Sequence, residues 1–203
     1  MYRRSLSLLA VVAALLVFVP AALAARVHVR VEGKTQTIFG SAEPTLNVKA
    51  NALGALESAS LAGEFYYHVT ASAFGPYVDQ IGRYPAAGTS GWIFKVNGIV
   101  PPVGADQVTV KDGDTVLWYW ATFSGAAGPL TLEVETSIVK GKRCFFASGR
   151  NDAGRASRMR GVVYTLNSRR ISSATGVVCT RLGRYTVRVA KTGAIRSRTY
   201  SGR

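Results

Sequence analysis

The stretch from Gly91 to Trp120 constrains the fold more than any other part of the sequence. Trp92, Phe94 and Val96 fall on one face of an alternating run that stops at Asn97-Gly98. This dipeptide tolerates the positive φ angles of a tight turn. The pattern therefore predicts a strand that ends in a turn.

The same stretch predicts two more strands. Val108 and Val110 alternate with polar residues up to Asp112-Gly113-Asp114, which is typical of a strand followed by a turn. From Val116 to Trp120, large apolar side chains occupy both faces of the alternation. We therefore expect a strand that is buried on both sides.

The N-terminus has the three-part layout of a secretory signal peptide. Two arginines precede the apolar run Leu6–Val19, which is followed by the small-residue pattern Ala22-Leu23-Ala24. We predict a signal peptide over residues 1–24, a secreted or cell-surface protein, and no membrane span after cleavage. The alternative is an uncleaved anchor, because Leu6–Ala25 has about the 20 residues that span a bilayer.

The charge differs sharply between the two halves of the 203-residue chain, whose net charge is +14. Residues 25–129 carry 7 basic and 8 acidic side chains, whereas residues 130–203 carry 16 and 3. Such an asymmetry favours two domains. We predict one over residues 25–124 and a basic one over residues 130–203, joined by a small-residue linker, residues 125–129.

The first domain is predicted to combine a mixed sheet with one short helix. Val27 to Val31 alternate, turn at Gly33-Lys34 and return, which predicts a hairpin. The remaining expected elements are a helix that begins near Asn51 and ends before Gly63, a strand over Phe65–Ala73, and a loop from Gly75 to Gly91. One helix across four or five strands is an α+β, β-grasp-like arrangement.

Four motifs in this domain carry a family resemblance: Val29–Gly33, Ala52–Glu57, Gly91–Gly98 and Val110–Trp118. Together, over most of residues 26–120, they resemble a bacterial extracellular family of unknown function related to the C-terminal domain of transcobalamin. The resemblance implies a β-grasp domain outside the cell. In transcobalamins the corresponding domain closes over one face of a corrinoid, whereas this sequence lacks the large helical domain that holds the other face.

The first domain is dense in aromatic residues, which supply large and rigid contact surfaces. We predict that Phe94, Trp118 and Trp120 belong to the core, because they lie in alternating strands. Tyr77, Tyr84 and Trp92 flank the 75–91 loop and are the candidate ligand-binding residues.

The second domain is predicted to be an all-β sandwich, because short apolar runs recur between Gly, Asn and Ser turns. The expected strands are Leu130–Thr136, Arg143–Ser148, Gly161–Leu166, Arg169–Ile171, Gly176–Cys179, Arg184–Ala190 and Ile195–Tyr200. In the sixth strand Tyr185, Val187 and Val189 should face inward, and Arg184, Thr186 and Arg188 should face water. Through Asp152–Gly154 and Gly183–Ala190, the segment is similar to small immunoglobulin-like or carboxypeptidase-regulatory-like sandwiches.

The two cysteines of the chain, Cys144 and Cys179, both lie in the second domain, and we predict a disulfide between them in an oxidising compartment. A metal site or a catalytic thiol is disfavoured, since there is no Cys-x-x-Cys spacing and His28 and His68 lie in the other domain. We predict no metal and no cofactor.

These features predict a secreted or cell-surface, non-enzymatic binding or adhesion module with an unknown extracellular ligand. A hydrolase is disfavoured, because the sequence has neither Gly-x-Ser-x-Gly nor His-Glu-x-x-His, and Asp112 with Asp114 is explained by a turn. The scattered arginines of the second domain form either a solvated face or a contact to anionic cell-envelope polymers. A nucleic-acid partner is not expected, since no recognised motif accompanies them. An extracellular carrier of a small, corrinoid-like molecule is the alternative function.

Overall fold

The computed structural model describes residues 24–73, 75–123 and 128–203. Its first part is a five-stranded mixed sheet, made of β1 (Ala24–Glu32), β2 (Thr37–Phe39), β3 (Thr45–Lys49), β7 (Ser90–Val96) and β8 (Thr115–Thr122). Strand β1 runs parallel to β8, and every other pair is antiparallel. The strand order is β2-β1-β8-β7, and β3 also pairs with β1. The hairpin and the mixed sheet predicted from the sequence are confirmed.

Helix α1 (Ala52–Gly63) packs one small-residue face against this sheet. It begins after Asn51, whose side chain accepts a hydrogen bond of 2.7 Å from the Gly54 amide and so satisfies a free donor of the first turn. Its C-terminal cap is Glu64, which adopts a left-handed φ of 50°. The predicted start is confirmed, and the helix extends through Gly63 rather than ending before it.

The expected loop from Gly75 to Gly91 is wrong, because most of it forms strands. A three-stranded antiparallel sheet is built from β4 (Tyr67–Ser72), β5 (Gly75–Ile81) and β6 (Tyr84–Pro85). Glycine and proline at the start of β5 indicated a loop, yet a strand tolerates both at its first residues. The candidate residues Tyr77 and Tyr84 therefore lie on strands.

The expected strand around Val108 and Val110 is also wrong. This segment makes only an isolated bridge between Asn51 and Thr109. The amide of Val110 donates to the carbonyl of Ala50, and the carbonyl of Val108 accepts from the amide of Ala52. Its backbone is therefore used to hold the entry of the helix rather than to extend the sheet.

The second part of the chain forms two four-stranded antiparallel sheets. One contains β9 (Thr131–Val139), β10 (Lys142–Arg150), β11 (Ala156–Arg158) and β14 (Val177–Thr180), and the other contains β12 (Val162–Leu166), β13 (Arg169–Ser173), β15 (Tyr185–Ala190) and β16 (Tyr200–Gly202). A single apolar cluster takes Phe145 and Leu132 from the first sheet and Tyr164 and Val189 from the second. The expected strand Ile195–Tyr200 is wrong, since only Tyr200–Gly202 forms one.

We call residues 24–123 the N-terminal region and residues 128–203 the C-terminal region. Most of the predicted signal peptide and linker lies outside the described residues. Within the residues that the structure describes, no helix is long and apolar enough to cross a membrane.

Cys144 and Cys179 form a disulfide with an S–S distance of 2.03 Å. The two residues are directly opposite each other on β10 and β14, and Cys144 is buried. The bond closes a loop of 35 residues in sequence. It thus joins two strands that are distant along the chain.

We expect the double substitution Cys144→Ala with Cys179→Ala to lower the free energy of unfolding by about 4 kcal/mol, because the unfolded chain regains the entropy of the open loop. Urea unfolding with and without reductant is the measurement. Reductant should destabilise the wild type and leave the double variant unchanged; an equal response of the two proteins would contradict the assignment.

Candidate ligand-binding surface and the contact between the two regions

The outer face of β8 forms the apolar contact between the two regions. Leu117, Tyr119 and Ala121 on this face make a buried cluster with Ile195 of the C-terminal region. The opposite face carries Trp118, which is buried against helix α1 and donates its indole N–H to the carbonyl of Ala52. The prediction that this strand is buried on both faces is confirmed.

Beside this apolar contact, the carboxylate of Glu32 binds three arginines. Glu32 is 2% exposed, and Arg30 on the same strand lies 3.2 Å from its Oε1. From the C-terminal region, Arg188 also pairs with Oε1, and Arg196 Nε donates to Oε2 at 2.9 Å. The side chain of Thr37 donates to both carboxylate oxygens. We call Glu32, Arg30, Arg188 and Arg196 the Glu32 cluster.

Arg188 was expected to face water, and that prediction is wrong. Its Nε donates to the carbonyl of Ser197 at 2.8 Å, while its Nη2 reaches Glu32. Burial lowers the pKa of Arg188, and the charge of Glu32 opposes that effect. The strand pattern alone could not reveal this, because the partner is 156 residues away in sequence.

A second charged contact starts from β7, which pairs with β8 on the side opposite β1. Lys95 is completely buried. Its Nζ lies 2.9 Å from Asp152 Oδ1 and donates a hydrogen bond of 2.9 Å to Thr131 Oγ1. Burial lowers the pKa of Lys95, and the hydrogen bond to Asp152 acts in the opposite direction. The amide of Val100 also donates to the carbonyl of Asp152. Ion pairs thus hold the two regions together on both sides of the apolar contact.

Two clefts lie between the regions. The first, which we call the Trp120 cleft, has a volume of about 510 Å³ and is lined by Lys34, Trp120, Leu130, Ile195 and Arg196, among others. The second has a volume of about 560 Å³ and a more charged lining that includes Arg30, Glu133, Arg150 and Arg198. Both volumes fall within the range of small-molecule sites.

Two of the three candidate residues, Tyr84 and Trp92, lie in one aromatic cluster with Trp120. The ring centroid of Tyr84 is 6.4 Å from that of Trp92 and 6.1 Å from that of Trp120. The two tryptophan rings meet edge to face at 5.6 Å. Trp92 is 3% exposed and donates its indole N–H to the carbonyl of Tyr84, so a ligand reaches it least easily of the three.

Glycines make room for the two candidate tyrosines. A Cβ atom at Gly91 would lie 2.6 Å from the hydroxyl oxygen of Tyr77, and one at Gly33 would lie 2.7 Å from the ring of Tyr84. Tyr77 is 43% exposed and is therefore the most accessible of the candidate residues. The pairing of a tyrosine with a glycine could not be seen in the sequence, because Tyr77 and Gly91 lie on different strands and Gly33 lies in the turn between β1 and β2.

The environment of each tyrosine hydroxyl is different. The pKa of Tyr84 is lowered, first by a hydrogen bond of 2.8 Å with Thr35 and then by Arg83. The guanidinium of Arg83 also lies 5.3 Å from the centroid of the Tyr84 ring. Burial raises the pKa of Tyr77, and the charge of Asp79 adds to this effect. Arg83 thus places a positive charge beside the aromatic ring of Tyr84.

Asp79 and the two histidines have structural partners. Asp79 accepts hydrogen bonds from Thr70 and His68, which lower the pKa of its carboxyl group. His28 contacts the carbonyl of Glu43 at 3.1 Å. Within residues 24–73, 75–123 and 128–203, no cluster of His, Cys, Asp and Glu has the composition of a metal site.

Comparison with known proteins gives one family match and one similar solved structure. A family model described as a domain of unknown function, DUF4430, matches residues 50–122, from the N-cap side of α1 to the end of β8. Over these residues, the match confirms the resemblance to a family of unknown function. A crystal structure of haptocorrin in complex with Cbi is similar to the chain, with 19% identity and a TM-score of 0.42. That alignment covers 50% of this chain and 26% of the haptocorrin chain. No curated protein matches.

We expect Glu32→Gln to lower the free energy of unfolding by about 3–5 kcal/mol, because it removes the buried carboxylate that pairs with three arginines, of which Arg30 also pairs with Glu43. Urea unfolding is the measurement, and Glu135→Gln, an exposed glutamate on β9, is the matched control. If both variants unfold within about 1 kcal/mol of the wild type, Glu32 does not hold the regions together.

Proposed function

We propose that the protein is a non-enzymatic binding module that acts outside the cell or at the cell surface. In this proposal a β-grasp domain, made of the five-stranded sheet and α1, presents the ligand-binding surface. A β-sandwich made of the two C-terminal sheets supports it. The disulfide between Cys144 and Cys179 supports the location, because such bonds persist in oxidising compartments.

The observation that carries the proposal is the aromatic surface made of exposed Tyr77 on β5 and of half-buried Tyr84 with exposed Arg83 at β6. Tyrosine and arginine are enriched among the residues that dominate binding energy, since they combine a large contact area with a polar group. Both tyrosines are fixed against backbone at Gly91 and Gly33. Little conformational entropy is therefore lost when a partner covers them.

The buried ionisable side chains at the contact between the regions, and Asp79 beside Tyr77, support binding rather than catalysis. Glu32 is engaged by the three arginines of its cluster, Lys95 by Asp152, and Asp79 by His68 and Thr70. A general acid or base must be able to reach the proton of a substrate. These groups are instead committed to holding the structure together.

A second candidate function is the carriage of a small molecule. The Trp120 cleft favours it, because the cleft has a volume of about 510 Å³ and a lining that includes the aromatic residues Tyr119 and Trp120, apolar Leu130 and Ile195, and basic Lys34 and Arg196. Concave sites of this volume are typical of small-molecule binding. The motif resemblance to a transcobalamin-related family makes a corrinoid the first compound to test.

We expect Tyr77→Ser to reduce binding of the labelled protein to isolated envelopes of the producing cells by about tenfold, because the substitution removes an aromatic contact residue. Sedimentation of the labelled protein with the envelopes is the measurement. Tyr66→Ser, which removes a tyrosine with 58% exposure outside the surface, is the matched control and should bind like the wild type. Equal binding by all three proteins would contradict the assignment of the aromatic surface as the binding site.

If the carrier function is correct, cobinamide should quench tryptophan fluorescence in a saturable titration. We expect Trp120→Leu to weaken the affinity by about tenfold while Tyr77→Ser leaves it unchanged, because Trp120 lines the cleft and Tyr77 does not. A flat titration of the wild type would exclude a corrinoid as the ligand.

A further inference from the structure

Three exposed apolar side chains lie at the far end of the C-terminal region. Ile138 and Val139, on the last residues of β9, are 58% and 43% exposed, and Leu182, between β14 and β15, is 53% exposed. Scattered exposed apolar residues need no explanation, whereas a group of them in one place indicates an interaction site.

The strand register brings these residues together. Lys140 and Gly141 form the turn of the β9–β10 hairpin, in which Lys142 is opposite Val139 and Arg143 is opposite Ile138. On the other side of β10, Arg143 is opposite Thr180, directly before the loop that contains Leu182. We call residues 138–143 and 180–184 the basic tip.

The disulfide stands directly behind the basic tip. Cys144 and Cys179 are the next pair along β10 and β14, so the bond ties the hairpin to the β14–β15 loop. The guanidinium of Arg143 adds a contact, since it lies 5.0 Å from the ring centroid of Tyr185 at the start of β15. The two loops are therefore held in a fixed relative position.

The charge of the basic tip is wholly positive. It contains Lys140, Lys142, Arg143, Arg181 and Arg184 and no acidic residue. Of the three acidic residues of the C-terminal region, Glu133 pairs with Arg150 and Asp152 pairs with Lys95, both near the contact with the N-terminal region, and Glu135 is exposed in the middle of β9. None of the three belongs to the basic tip, which therefore carries an excess of positive charge.

The basic tip points away from the N-terminal region. Strand β9 begins at Thr131, which binds Lys95 of the N-terminal region, and ends at Val139 in the tip. At about 3.3 Å per residue, the eight steps of β9 separate the two ends by about 26 Å. The N-terminal region therefore leaves the tip uncovered.

We propose that the basic tip docks onto an anionic lipid bilayer, with Ile138, Val139 and Leu182 inserted at the boundary between head groups and acyl chains. The exposed cations of Lys140, Lys142, Arg181 and Arg184 would pair with lipid phosphates around them, whereas Arg143 donates to the carbonyl of Arg203. Such a combination of basic and apolar side chains matches an anionic membrane surface, which offers both a negative potential and an apolar layer. A hydrophilic anionic polymer would use the charges and leave the apolar side chains exposed. This site is separate from the aromatic surface, so the proposal does not depend on the ligand bound there.

The test is co-sedimentation of the full protein with vesicles made of equal parts of phosphatidylglycerol and phosphatidylcholine, compared with vesicles of phosphatidylcholine alone. The wild type should bind only the anionic vesicles. Ile138→Ser with Leu182→Ser should weaken that binding by about tenfold, because it removes apolar insertion while keeping every charge. The matched control is Leu61→Ser, an apolar residue with 77% exposure on α1, which should bind like the wild type.

A second pair of variants tests the charges. Lys140→Gln with Lys142→Gln should weaken binding at least tenfold, whereas Lys49→Gln with Lys111→Gln, two exposed lysines of the N-terminal region, should have little effect. Two results would overturn the proposal. One is failure of the wild type to bind anionic vesicles. The other is unchanged binding of the Ile138 and Leu182 double variant, which would indicate a purely ionic contact of the kind that an anionic polymer makes.

Discussion

The carboxylate of Glu32 holds the two regions of this protein in one relative position. It is buried at the edge of the apolar contact between them and binds Arg30 from its own strand and Arg188 and Arg196 from the other region. Removing one partner from such a cluster leaves an uncompensated buried charge, which is costly. Glu32 and Arg196 also line the Trp120 cleft, so this contact forms part of its wall.

The fixed arrangement gives the molecule two separate surfaces. Tyr77, Tyr84 and Arg83 form the aromatic surface on the N-terminal region, and the basic tip lies at the far end of the C-terminal strands. The acidic side chains Glu32 and Asp152 are used in the contact between the regions. Most of the excess positive charge is left on the C-terminal region, where it is available to an anionic partner.

Local chemistry made part of the fold predictable from the sequence. Asn51 and Asn97-Gly98 act on their own neighbours, so the helix start and the turn after β7 follow from residue type. Features that depend on distant partners were not predictable. Arg188 looked solvated because Glu32 is remote in sequence, and Trp92 looked accessible because nothing local shows that it packs against Trp120. Strand β5 was missed because its first residues, glycine and proline, are typical of turns.

Hydrogen–deuterium exchange of the protein, free and bound to isolated envelopes of the producing cells, would test the central claim most directly. The account predicts added protection in β5 and β6 around the aromatic surface and in the two loops of the basic tip. It predicts no change in α1, whose face away from the sheet takes part in neither surface. Protection concentrated on α1, or no protection anywhere on bound protein, would contradict the account.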